Sequence, residues 1–143
     1  MDVEEILKRP FLGNEEELVV ALHEPYWDAE KKRGSKSIFA DPRKSASRLS
    51  VYPIEKIIDI FINQISGGRV RIEAYGVISV EKIKEVGGSG ETVIDFEATE
   101  NPVPQNAAHA EIIAFDNNRA ALRRRVATGV SRKLSEALEV TVL

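Results

Sequence analysis

The chain contains no cysteine, which excludes structural disulfides, thiolate metal sites and a cysteine nucleophile. Aromatic residues make up 6% of its 143 residues and histidine occurs twice, so stacking platforms and imidazole chemistry have few side chains to draw on. No apolar run approaches the roughly 20 residues that a membrane-spanning helix needs. The N-terminus, MDVEEILKRP, carries acids where an export signal has a basic stretch and then an apolar one, so a cytoplasmic location without a membrane partner is expected. Internal repeats and low-complexity tracts are lacking too. With 43% hydrophobic and 30% charged residues, the chain reads as one globular domain over 1–143.

What is present is charge sorted into blocks. The net charge is only -3, yet residues 30 to 48 hold seven bases (Lys31, Lys32, Arg33, Lys36, Arg43, Lys44, Arg48) against Glu30 and Asp41. Residues 73 to 118 hold nine acids against Lys82 and Lys84, and residues 119 to 133 hold six bases and no acid. Such blocks either steer an anionic partner or cancel each other within the fold.

Hydrophobic periodicity supplies the elements. Val3 to Lys8 suits a short helix stopped by Pro10, and Leu18 to Leu22 reads as a fully apolar strand. The stretch from Pro25 to Ser50 reads as a long surface loop with one short element near Ile38 and Phe39. Pro53 to Ile65 is the clearest helix, with Ile54, Ile57, Ile58, Phe61, Ile62 and Ile65 at spacings of three and four and Gly67-Gly68 as the stop. The period changes to two from Arg69 toward Ile78, and again over Thr92 to Ala98 and His109 to Phe115. A short element lies between, at Val80 to Val86. Leu122, Val126, Val130, Leu134 and Leu138 predict a long final helix, capped by Asp116 or Asn117 and running to about Glu139. The expected class is α+β, a single domain with a mostly antiparallel sheet of three to five strands and two principal amphipathic helices packed on one face.

Motifs with a fixed chemistry are few. Gly34-Ser35-Lys36-Ser37 lacks phosphate-loop spacing, Gly87-Gly88-Ser89-Gly90 is a turn, and there is no nucleophile elbow. His23 and His109 each border a predicted strand with a glutamate close by, an arrangement that suits either ordering of a loop or acid-base work; no metal-ligand spacing accompanies them, and no cofactor is implied. Arg119, Arg123, Arg124 and Arg125 crowd the predicted start of the last helix, the end its dipole already makes positive. They either pair with the acids of residues 91 to 100 or, with Arg132, Lys31, Lys32 and Arg33, bind an anion such as nucleic-acid phosphate, and Trp27 and Tyr26 would add stacking to that surface.

Two stretches, Ser35 to Val51 (with Ser37, Phe39 and Leu49-Ser50-Val51) and Asn101-Pro-Val-Pro-Gln-Asn-Ala-Ala-His-Ala-Glu-Ile112, resemble a group of small uncharacterised bacterial proteins. That group shows a serine-rich S-x-x-F segment, then L-S-V, and later P-x-x-N-P-A-H-A. The present chain departs from it at Ala107, where the pattern has proline. The resemblance implies that Ser37, Phe39, Ser50, Asn106 and His109 gather around one site, and proteins of that kind look like accessory components beside defence or mobile-element genes. The first functional expectation is thus a non-enzymatic accessory protein presenting basic surfaces to an acidic protein or a nucleic acid. The second is a small hydrolase or transferase with His109 as acid-base and Ser37, Arg48 and Ser50 on an anionic substrate. Homodimerisation through Val140 to Leu143 at a sheet edge is a further expectation.

Overall fold

The computed structural model describes residues 5, 6, 8–116, 120, 122 and 124–143. Part of the expected short helix at 3–8, together with Asn117, Arg119 and Arg123, lies outside them. In chain order the elements are β1 (Glu17–Leu22), β2 (Trp27–Asp28), β3 (Arg33–Gly34), β4 (Arg43–Arg48), α1 (Ile54–Gln64), β5 (Ala74–Ser79), α2 (Val80–Gly87), β6 (Asp95–Glu100), β7 (His109–Phe115), α3 (Thr128–Ala137) and β8 (Glu139–Val142). Six strands form one fully antiparallel sheet in the order β6-β7-β4-β1-β5-β8, while β2 and β3 pair as a separate ribbon. None of the helices is long and apolar enough to cross a membrane among the described residues.

The α+β class stands, but the expected three to five strands and two helices on one face do not: the elements above are eight strands and three helices among the described residues, and the helices cover both faces. Strand β1 shows why. Its run Leu18–Leu22 is at most 7% exposed at every position. Leu18, Val20 and Leu22 pack with Ile83 and Val86 of α2 and Val130 and Leu134 of α3, whereas Val19 and Ala21 pack with Ile57 and Phe61 of α1. A strand buried on both sides must be continuously apolar, and this one is.

Two misread segments have physical causes. The supposed loop from 25 to 50 contains the ribbon and β4, a strand next to the sheet centre. The sequence of β4, RKSASR, carries one apolar residue, Ala46, because its other face lies over the polar half of the sheet. The final helix is shorter than expected, and the described residues among its predicted first turns are not helical: the Leu122 amide donates to the Ala114 carbonyl (2.9 Å) and the Val126 amide to that of Ala40 (2.8 Å). Those bonds dock an irregular segment onto the body, so the fourfold spacing of Leu122, Val126 and Val130 crosses two conformations. Arg124 and Arg125 therefore precede α3 and do not crowd its dipole.

Close packing makes individual positions legible. A Cβ added at Gly87 would lie 2.5 Å from the Ile94 carbonyl oxygen and 2.6 Å from the Phe96 ring, while at Gly129, in the first turn of α3, it would meet nothing within 4 Å. We expect Gly87→Ala to cost about 1–3 kcal/mol through overpacking, and Gly129→Ala to raise stability by up to about 1 kcal/mol by restricting the unfolded chain. Urea unfolding of the two variants checks this; equal shifts would contradict it.

Candidate functional site

Antiparallel register fixes which side chains share a face. Ser47 opposes Val19 and His109, Ser45 opposes Glu111, and Glu111 opposes Thr99. The face that α1 covers over β1 and β5 thus continues over β4, β7 and β6 as a polar surface of Arg43, Ser45, Ser47, His109, Glu111, Glu97 and Thr99.

At its centre Glu111 is nearly buried. Arg9 Nη1 donates to Oε1 (2.5 Å), Arg43 donates through Nε and Nη2 to Oε2 (3.0 and 2.7 Å), and Asn101 Nδ2 donates to Oε1 (2.9 Å). Burial alone would push this carboxyl up, but the hydrogen bonds and charges of Arg9 and Arg43 outweigh it and hold the group below the usual carboxylate range.

Asn101 links this knot to His109. Its backbone carbonyl lies 2.7 Å from His109 Nδ1, and since a carbonyl only accepts, Nδ1 carries the hydrogen and donates. In the neutral ring Nε2 is then the acceptor, and it faces Ser45 Oγ at 3.2 Å. Ser45 and His109 both line a cavity of about 380 Å³ whose walls also include Ala21, Phe61, Ile65, Val103 and His23. The two histidines expected to border strands thus meet at one concavity. His23 Nδ1 lies 2.8 Å from its neighbour Glu24's carbonyl, and its ring meets Tyr26 edge-on at 5.7 Å. No group of three His, Asp or Glu side chains suited to a metal exists among the described residues.

Of the other residues expected beside His109, Asn106 lines the same cavity, whereas Ser37, Phe39, Arg48 and Ser50 lie elsewhere. Arg48 points to the opposite face, where it pairs with Glu16 (2.5 Å) and Glu100 (2.9 Å), and Ser50 Oγ donates to the same Glu16 at 2.9 Å. The hydrogen bond from Arg48 holds Glu16 below the ordinary carboxylate range and raises Arg48 in turn. Ser37 shares a 2.7 Å hydrogen bond with Ser35, beside the ribbon. Phe39 is buried in the main core, and Asn106 Nδ2 donates to Ser47 Oγ, which ties the loop before β7 to β4. Glu111 is the glutamate that the sequence places beside His109, whereas Ser45 and Asn101 are site members that the sequence does not single out. The available signal was alternation: Ser45-x-Ser47 and His109-x-Glu111 are spaced to share a strand face.

A second concavity, about 510 Å³, is formed by the ribbon and α3 and lined by Lys31, Arg33, Lys36 and Arg132, with Asp28 and Glu136 also on it. Buried serines of α3 build it: Ser131 Oγ donates to the Lys36 carbonyl and Ser135 Oγ to the Gly34 carbonyl (2.7 Å), clamping the loop on the helix. Lys31, Lys32, Arg33, Lys36, Arg124, Arg125 and Arg132 are exposed and form no ion pair among the described residues. Of the seven bases in 30–48, Arg43 and Arg48 are taken up by acids and Lys44 stacks 5.0 Å over the Tyr26 ring, where burial pushes its ammonium down. Trp27 does not offer a stacking surface: it is 9% exposed and part of the core. No protein family, curated protein or solved structure matches the chain.

Because Glu111 ionises more readily in the folded chain than in the unfolded one, its stabilisation is complete above the ordinary carboxylate range and is lost as pH falls through the lowered folded value. Glu111→Gln, which strands two guanidiniums, is expected to cost about 3 kcal/mol at neutral pH and to flatten the acid limb of the stability profile. Urea titrations across the acid range measure both. An unchanged acid limb would contradict the assignment.

Proposed function

We propose that the chain is a binding protein whose ribbon and α3 groove engages an acidic segment of a partner protein. The observation that carries this reading is the convergence of Lys31, Arg33, Lys36 and Arg132 on one concavity without internal ion pairs among the described residues, while Arg9, Arg43 and Arg48 are paired with acids of the body. Unpaired cations held on a rigid concave surface attract carboxylates at long range and bind them by charge-assisted hydrogen bonds at short range. Asp28 and Glu136 on the same groove favour a ligand of mixed or intermittent charge over a continuous phosphate backbone, and the burial of Trp27 removes the stacking that a single strand of nucleic acid would use. Arg124 and Arg125 are exposed on the chain leading into α3, and Arg124 borders a separate concavity with Glu91 and Asp116. An accessory role follows from binding of this kind. The catalytic alternative with Ser37, Arg48 and Ser50 receives no support from their positions, which are not shared with His109.

Fluorescence anisotropy with a labelled Glu/Asp-rich peptide and with duplex DNA, in low and in physiological salt, tests the reading. Salt-sensitive peptide binding that falls about tenfold or more in Arg33→Ala/Arg132→Ala is expected. Absence of peptide binding at low salt, or DNA binding that is tighter than peptide binding and depends on the same residues, would overturn it.

A further inference from the structure

We propose that Ser45 and His109 form a nucleophile and general-base pair that hydrolyses small uncharged acyl esters, at a site separate from the groove. Three observations converge. Ser45 Oγ faces Nε2 of His109, and the Asn101 carbonyl occupies Nδ1, so the neutral ring is held in the tautomer that can take the hydroxyl proton. The carbonyl is itself fixed, because the Asn101 side chain is bonded to the Glu111 knot. Both reacting groups open on a cavity with apolar walls from Ile60, Phe61, Ile65 and Val103.

The substrate class follows from the lining. No carboxylate borders the cavity, and the one lysine that does has its ammonium over the Tyr26 ring, so an uncharged acyl chain fits best. A carbonyl on Nδ1 orients the imidazole but stabilises an imidazolium less than a carboxylate would, which restricts the pair to substrates with a good leaving group, esters and not amides.

In the first step Ser45 Oγ bonds to the acyl carbon, its proton passes to Nε2, and the carbonyl electrons move onto oxygen. Gln64, Gln105 and Asn106 line the cavity with side-chain amides; that of Asn106 is engaged with Ser47, which leaves those of Gln64 and Gln105 as the donors for that oxygen. Collapse expels the alkoxide, which takes the proton from Nε2 and leaves as the alcohol. A water then bonds to the acyl carbon, giving its proton to Nε2; as the acid departs, that proton returns to Ser45 Oγ. The sum is ester plus water to acid plus alcohol.

The test uses the full chain with two probes: an alkyl fluorophosphonate, with the adduct mapped by mass spectrometry, and p-nitrophenyl butyrate, with phenolate release followed. Ser45 is exposed, so Ser45→Ala is expected to fold normally, which circular dichroism checks. The adduct is expected on Ser45, absent in Ser45→Ala and retained in Ser89→Ala. Ester hydrolysis is expected to fall on the order of 10²–10⁴-fold in His109→Gln. A folded wild-type chain without an adduct on Ser45, an adduct on another serine, labelling without turnover, or hydrolysis that survives Ser45→Ala would each overturn the proposal.

Discussion

A carboxylate held 9% exposed on a sheet surface is tolerable only if its charge and lone pairs are answered, and Glu111 is answered by two guanidiniums and an amide. Those donors come from three remote places: the segment before β1, the start of β4 and the connection between β6 and β7. Satisfying one side chain therefore brings those segments together over the polar half of the sheet. Asn101 is the member that matters for chemistry, because its side chain is bonded to Glu111 while its carbonyl fixes the His109 ring.

The same sorting explains the distribution of charge. The acids of the sheet and its flanks are matched by bases from β4 and from the segments packed on it: Arg9 and Arg43 by Glu111, Arg48 by Glu16 and Glu100, Lys84 of α2 by Glu97, while Lys44 of β4 stacks on Tyr26. The bases of the ribbon and of α3 sit beyond the reach of these acids, on a surface fixed by Ser131 and Ser135 bonding to loop carbonyls. Near-neutral total charge thus coexists with a groove of one dominant sign. The sheet divides the two candidate sites, with the Ser45 cavity on the α1 side and the groove built on α3, whose apolar residues cover the other side.

Much of the fold was legible where one physical signal dominated. The helix after Pro53 and the strand from His109 to Phe115 follow their periodicities, and β1 announces burial on both faces by its unbroken apolar run. Strand β4 was not legible, since Ser45 and Ser47 serve a polar face and the segment resembles a loop in composition. Leu122 and Val126 misled for the converse reason: at helical spacing, one partly buried and one buried, they are held without a helix through backbone bonds to Ala114 and Ala40. For the sites, the crowding of bases near residues 31–36 was visible in the sequence. The partnership of His109 with Ser45 was not, because it depends on a cross-strand register that only the folded sheet defines.

The orientation chain from Glu111 through Asn101 to His109 is tested most directly by the tautomer of that imidazole. Nitrogen-15 NMR of the neutral ring should show His109 protonated at Nδ1, with Nε2 bearing the lone pair toward Ser45, and Glu111→Gln should loosen that preference. A ring protonated at Nε2 in the intact chain would contradict the account.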